Sequence, residues 1–141
     1  MDRVEDCISF LIGKAAQQIA RRSREKLASH GVTPTQYAVM KVLWENEPQS
    51  GSEMGSRLQM DSATITGVID RLEAADLVER RPDPSDRRIH RLFLTRRGRS
   101  LQKPLDRAMD ELNAEAREVL GKQASAVLKG LRQLGGGALT T

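Results

Sequence analysis

Most of this 141-residue chain carries apolar residues at helical spacing, but the run Glu79–Gly98, ERRPDPSDRRIHRLFLTRRG, cannot join that pattern. Pro82 and Pro84 fix φ and lack an N–H, while Asp83 and Asp86 can bond their own backbone, so PDPSD is a turn. Val78–Arg81 before it and Ile89–Leu94 after it can both extend, although His90–Leu94 is not a clean alternation. The predicted element is a short β-hairpin. Its 20 residues hold seven arginines (80, 81, 87, 88, 91, 96 and 97) against Glu79, Asp83 and Asp86. A hairpin with an arginine-loaded tip can touch a polyanion, but a solvated loop explains the same charges equally well. The flanking chain has to decide.

A chain of this length supports one domain with a real core. Its four aromatics, Phe10, Tyr37, Trp44 and Phe93, leave that core to aliphatic residues, as suits a helical protein. Net charge is +4 with a pI near 9.6, a balance that favours an anionic partner without proving nucleic-acid binding. The single Cys7 excludes an intrachain disulfide and fits a reducing compartment. No apolar run reaches the length of a membrane span, and the charged start MDRVED lacks a signal-peptide core. A cytoplasmic protein that does not engage membranes is expected.

Val4–Ser29 reads as one long helix, with Ile8, Leu11, Ile12, Ala15, Ala16, Ile19 and Leu27 at helical spacing and His30-Gly31 as its stop. So long a first helix needs a surface beyond one small core, and a partner subunit would supply it. Thr33-Pro34 opens a second helix with a cap and a proline at the first helical position; Glu47-Pro48 ends it. After the Ser50-Gly51-Ser52 loop a short helix spans Glu53–Leu58, with Gly55 where two helices can approach. Asp61 or Ser62 caps the next helix, which runs to about Ala75. Its Ile65, Val68, Ile69 and Leu72 form an inward stripe, leaving Ser62, Thr64, Thr66, Gly67 and Arg71 outside.

A short helix, a tight turn and a helix with a small polar outer face make a helix-turn-helix. Hydroxyl side chains and one Arg suit a helix that enters a major groove. Thr95 can cap a further helix from Arg96, with Pro104 forcing a later start or a kink. Gly121 breaks the pattern before a last helix through Leu134.

This order of elements resembles the MarR family of bacterial transcriptional regulators. The resemblance rests on MDSATITGVIDRLEAADLVERRPDPSDRRIHRLFLTRRGR, Met60 to Arg99, in which Asp86-x-Arg88 followed by Leu94-Thr95-x-x-Gly98 is similar to the family's wing signature. TPTQYAVMKVLWE, from Thr33, is similar to the family's second helix. The resemblance implies a mainly α fold with a small β-hairpin wing: a winged helix-turn-helix lobe over 33–98, dimerisation helices over 1–31 and 99–135, and a flexible tail over 136–141. It implies a homodimer gripping double-stranded DNA at a pseudo-palindromic operator. Ser62, Thr64, Thr66 and Arg71 would face the major groove, Arg88 would approach the minor groove, and Asp86 would brace the wing. Arg87 is a DNA-contact candidate on charge alone.

Control of such a protein is the more open question. A small organic ligand between the dimer helices and the lobe is the family's usual device; Phe10, Lys14, Tyr37, Met40 and Trp44 could line that site, and nearby Lys and Arg suit an aromatic or other organic anion. For Tyr37 and Trp44 a core role is the favoured reading. Cys7 raises a peroxide-sensing alternative, since LQMDSATIT also resembles the organic-hydroperoxide regulators. Those proteins set tyrosines around their cysteine, however, and this chain has none before Tyr37; acidic Asp6 also disfavours a thiolate. A winged-helix module for protein–protein assembly is the reading from another class, and it would want an apolar outer face on the reading helix. His30, His90 and Cys7 make no metal-ligand cluster, no cofactor is implied, and no nucleophile–base pair suggests an enzyme.

Overall fold

The computed structural model describes residues 1–137 and Leu139. Helix α1 spans Ile8–Leu27 rather than running unbroken from Val4 to Ser29. Val4–Asp6 form a 3-10 turn and Cys7 is extended (φ −78°, ψ 120°). Upstream of Cys7 the apolar side chains are Met1 and Val4, both exposed, so no buried apolar anchor holds that turn on the helix axis. At the other end Ala28–His30 tighten into a 3-10 turn, and Gly31 takes the left-handed conformation (φ 67°) that closes it.

Helix α2 covers Pro34–Glu45. Its capping box is reciprocal: Gln36 N–H donates to Thr33 Oγ1 at 3.2 Å and Thr33 N–H donates to Gln36 Oε1 at 3.0 Å. A second box starts α3, Gly51–Leu58, where Ser50 N–H and Glu53 N–H each bond the other residue's side chain at 3.1 Å. Glu53 is thus the third residue of that helix, which begins two residues earlier than the apolar pattern indicates. Gln59 turns the chain at φ 55°, and Asp61 caps α4, Ser62–Ala74, by accepting from Thr64 N–H at 2.7 Å. Gly55 is where α3 and α4 meet, a Cβ there lying 3.1 Å from the Met60 carbonyl oxygen.

The hairpin strands are β2, Val78–Pro82, and β3, His90–Leu94. The sheet has one more strand than the sequence suggested. Ser50, expected as loop, joins Gln49 in β1, which pairs antiparallel with Leu92 and Arg91, giving the order β1-β3-β2. The buried Gln49 amide holds it there, donating to the Val42 and Asn46 carbonyls at 3.0 and 2.5 Å. Two residues show no period, so the pattern could not reveal a strand.

Beyond the sheet, Thr95 caps the short helix α5, Arg96–Ser100, and α6 follows over Gln102–Leu120. Pro104 is the third residue of α6, in the first turn where a missing N–H costs nothing, so the later start is the observed outcome. After a turn at Gly121–Gln123, α7 runs Ala124–Gly135. The tail expected over 136–141 includes Ala138, Thr140 and Thr141, which lie outside the described residues. No helix among the described residues is long and apolar enough to cross a membrane.

The core joins α2, α3, α4 and the sheet. All four stripe residues of α4 are buried, and Leu43, Met54, Leu72 and Leu92 are among the fully enclosed side chains. Helices α1 and α6 form a second layer, fastened by Leu27 and Leu105 and by charge. Arg22 Nε donates to Glu115 Oε2 at 3.0 Å, Lys26 Nζ lies 2.8 Å from Glu115 Oε1, and Lys26 also reaches Glu111 at 3.4 Å. Hydrogen bonds from Arg22 and then Lys26 hold the Glu115 carboxyl down at about 2 against an ordinary 4.5. A depressed carboxyl favours the folded state above its unfolded value, and that advantage fades as pH falls from about 4.5 towards 2. Melting temperatures of wild type and Glu115→Gln should therefore differ at pH 7 and converge near pH 2. A gap that persists unchanged in acid would contradict this role for Glu115.

Apolar side chains of the terminal helices are left bare. Ile8, Leu11, Ile12 and Ile19 of α1 are exposed, as are Val119 of α6 and Leu131 of α7.

Candidate nucleic-acid interface

Burial of the Ile65–Leu72 stripe turns the opposite side of α4 outward. Ser62, Thr64, Thr66 and Arg71 are all exposed there. At 100° per residue they divide into two flanks. Thr64, Gly67 and Arg71 share one, and the Arg71 guanidinium lies back over Gly67, 3.6 Å from where a Cβ would stand. Ser62 and Thr66 share the other, which continues into Asp70 and Glu73 and faces the wing. Short hydroxyls on both flanks keep the helix slim, and its polar donors and acceptors can meet base edges.

The wing tip is built by two aspartates. Asp83, almost fully buried, accepts from Ser85 N–H at 2.8 Å, Ser85 Oγ at 2.5 Å, Asp86 N–H at 3.3 Å and Arg91 Nε at 2.7 Å. The Ser85 hydroxyl, the Arg91 guanidinium and the backbone donors hold its carboxyl well below the usual range. Asp86 Oδ1 accepts from Arg88 N–H and Nε, both at 3.1 Å, and Oδ2 accepts from Arg88 Nη2 at 3.2 Å. Asp86 thus orients Arg88, whose side chain remains 91% exposed. Arg87 is exposed with no ion-pair partner among the described residues.

The base of the wing is different. Arg80 bonds Asp70 and Glu73, Arg81 pairs with Glu79 and lies 4.2 Å over the Phe93 ring, and Arg91 bridges Asp83 and Glu53. Arg97 donates to the Ala75 carbonyl at 3.2 Å, and Arg99 to Glu47 at 2.9 Å. Counting arginines along the chain treats these as equal to the tip; the structure spends them on internal carboxylates and carbonyls. Asp83 and its partner Arg91 escaped the sequence reading, which singled out Asp86 as the brace. The usable signal was the turn itself, since its amides, unpaired in the ladder, need an acceptor.

Asp83→Ala should strip Ser85, Asp86 and Arg91 of their shared acceptor. Amide exchange at residues 85–89 should speed up while that of α2 and α6 stays slow. Unchanged protection across the turn would contradict the brace.

Within one copy of the chain, the five residues proposed to line a ligand site fall in three settings. Met40 is fully buried in the core. Tyr37 and Trp44 pack edge to face at 6.0 Å, with the Tyr37 hydroxyl donating to Asp106 at 2.8 Å and Trp44 Nε1 to the Gly98 carbonyl at 3.1 Å. Burial first, then the Asp106 hydrogen bond, pushes the Tyr37 hydroxyl far above its ordinary value. Phe10 and Lys14 stay on the open face of α1, with the ammonium 5.5 Å from the ring. Cys7 is half-buried at the start of α1. His30 and His90 lie on separate elements, the end of the α1 region and the wing. A cleft of about 480 Å³ lies between α4, β3 and the start of α3 and is lined by Thr66, Ile69, Arg80, His90, Arg91 and Ser52 among others.

Comparison with known proteins points in one direction. The sequence model of the MarR family matches residues 32–90. Over 99 residues the chain is 43% identical to the HTH-type transcriptional regulator TtmR of Methylorubrum extorquens (strain PA1), a match spanning 70% of this chain and 51% of TtmR. The chain therefore spans about half the length of that curated relative. A crystal structure of a probable transcriptional regulator from Pseudomonas aeruginosa superposes with a TM-score of 0.83 at 35% identity, covering 92% of this chain and 96% of that one. The transcriptional repressor CouR bound to a 23-mer DNA duplex gives a TM-score of 0.83 at 27% identity, with 96% of each chain covered; CouR comes from Rhodococcus jostii RHA1.

Proposed function

The chain belongs to the MarR family, and on that premise we propose that it is a homodimeric, sequence-selective DNA-binding repressor of transcription, released by a small organic ligand. One observation carries the reading: exposed Arg87 and Arg88 crown a braced hairpin beside a helix that presents Ser62, Thr64, Thr66 and Arg71 outward. Arg71, Ser62, Thr64 and Thr66 read the major groove in this scheme, and the wing tip tracks phosphates and the narrow groove alongside. An assembly module would want an apolar outer face on α4, and this one is polar.

The bare apolar residues of α1, with Val119 and Leu131 also exposed, support a second copy of the chain as the covering surface. Two-fold pairing would set two reading helices on a pseudo-palindrome with half-sites about one helical turn apart. CouR, a repressor captured on duplex DNA, supports the same reading. Of the ligand candidates, Phe10, Lys14, Tyr37 and Trp44 are the ones with solvent-reachable surface, and the ammonium favours an organic anion.

Selection from a random duplex pool tests the core of this reading. The protein should enrich an inverted repeat, and its affinity for that repeat should fall steeply as salt rises from about 50 to 200 mM. Failure to enrich any sequence, or binding indifferent to salt, would overturn it. Release of the duplex on adding aromatic carboxylates would support the ligand class, and a panel without effect would remove it.

A further inference from the structure

In the three-stranded sheet β3 is central, and β1 pins it to the head of α3. Strand β2 is the outer edge. From Val78 outward, the side-chain hydrogen bonds joining β2 to α4 all involve Arg80 among the described residues. Its Nη1 donates to Glu73 at 2.7 Å, its Nη2 to Asp70 at 2.5 Å, and its backbone N–H to Glu73 at 3.3 Å. The two acids stand one turn apart on the α4 flank that carries Thr66, and Arg80 reaches across to them at the edge of the cleft between helix and wing.

Resting on the DNA-binding reading above, we infer that Arg80 is a positioning residue: its clamp on Asp70 and Glu73 sets the angle between wing and reading helix, so that both enter their grooves together, and it does not itself contact phosphate. Three features argue for this. The arginine is three-quarters shielded and its fork is already filled by two carboxylates, so little of its charge is left for an incoming phosphate. The two acids are half-exposed, and pairs of that kind add little to stability, so holding the fold together does not explain the arrangement. Finally, the link between α4 and β2 is only Ala75–Leu77, turned at Asp76 with φ 58°, and past buried Val78 the clamp supplies the side-chain hydrogen bonds that tie the edge strand back to the helix among the described residues. Carboxylates beside a phosphate-binding face also repel DNA, so their presence on this flank calls for a use.

The decisive variant leaves every cation in place. In Asp70→Asn/Glu73→Gln the clamp is removed from the helix side while negative charge near the DNA falls. Affinity is measured by fluorescence anisotropy for the duplex enriched by wild type and for an unrelated duplex of equal length. Affinity for the unrelated duplex should hold or rise, affinity for the enriched duplex should fall, and their ratio should drop tenfold or more. If both affinities rise together and the ratio is kept, the acids merely repelled DNA and the inference is overturned.

Arg80→Gln gives an independent readout. Positioning predicts the same loss of ratio with the salt slope unchanged. A slope reduced by about two, one lost phosphate contact in each protomer of a dimer, would make Arg80 a phosphate ligand and overturn the inference. Should that variant fail to fold, the helix-side variant still decides. A wild type that enriches no sequence would defeat DNA reading itself; a selective wild type whose helix-side variant stays equally selective defeats only the clamp.

Discussion

Gly98→Ala should destabilise the winged lobe severely. A Cβ at Gly98 would press far inside contact distance on the Leu77 carbonyl oxygen, stand 3.2 Å from the Leu77 carbonyl carbon and 3.3 Å from Leu94 Cδ2. That oxygen is already in use, accepting from Thr95 N–H at 3.1 Å, while Gly98 N–H donates to Thr95 Oγ1 at 3.0 Å and the Gly98 carbonyl accepts from Trp44. Backbone faces backbone here, so no side chain can swing aside. Relief requires α5 to move off the end of α4, breaking the bonds that Thr95 makes to Leu77 and Asp76 and that Trp44 of α2 makes to Gly98. Overpacking of this kind costs about 3 kcal/mol or more, which in a chain of this size lowers the melting temperature by about 10 °C. Thermal unfolding followed by circular dichroism measures it, and a shift of only a degree or two would mean that the contact relaxes far more easily than its geometry allows.

The second large effect concerns binding rather than folding. Arg87→Ala/Arg88→Ala should leave the melting temperature nearly unchanged, since Arg87 has no internal partner and Arg88 is exposed beyond its bond to Asp86. Affinity for DNA should fall on the order of a hundredfold at moderate salt. In a dimer four guanidinium groups are lost, so the slope of log affinity against log salt should shrink by about three to four. Arg97→Ala/Arg99→Ala removes the same number of charges from the base of the wing, where both guanidinium groups already have internal acceptors, and should change affinity far less. The pair of variants separates the two ends of the hairpin. Equal losses from tip and base would show that only total charge matters, and the ranking would fail.

Much of the lobe was legible in the sequence because its signals are local. Thr33 before Pro34, Asp61 before the Ile65–Leu72 stripe and Thr95 before Arg96 each announce a cap three residues from the N–H it serves, and each is found doing so. The Ser50-x-x-Glu53 box was equally local, but attention to the apolar pattern hid it and delayed the start of α3. What the sequence could not reveal is pairing across distance. Nothing near Gln49 says that its neighbour across the sheet is Leu92, and nothing near Asp83 says that Arg91 and Glu53 complete its network. The wing's arginines were visible as a cluster, but their division between engaged base and open tip depends on where Asp70, Glu73 and Glu53 fall in space. Leu94-Thr95-x-x-Gly98 was recognisable as a pattern; the reason for its glycine is the Leu77 carbonyl, 21 residues away.

Return finally to the bare edge of α1. If a second copy covers Ile8, Leu11, Ile12 and Ile19, then the amount of protein present enters the occupancy of its DNA twice, once to form the pair and once to bind. Below the pairing constant, occupancy grows with the square of concentration, and a twofold change in dose becomes nearly fourfold in bound DNA. Apparent stability follows the same law, since folding and pairing then share one equilibrium and dilution lowers the melting point. A row of isoleucines and leucines far from any base would in this way set how sharply the protein responds to its own abundance.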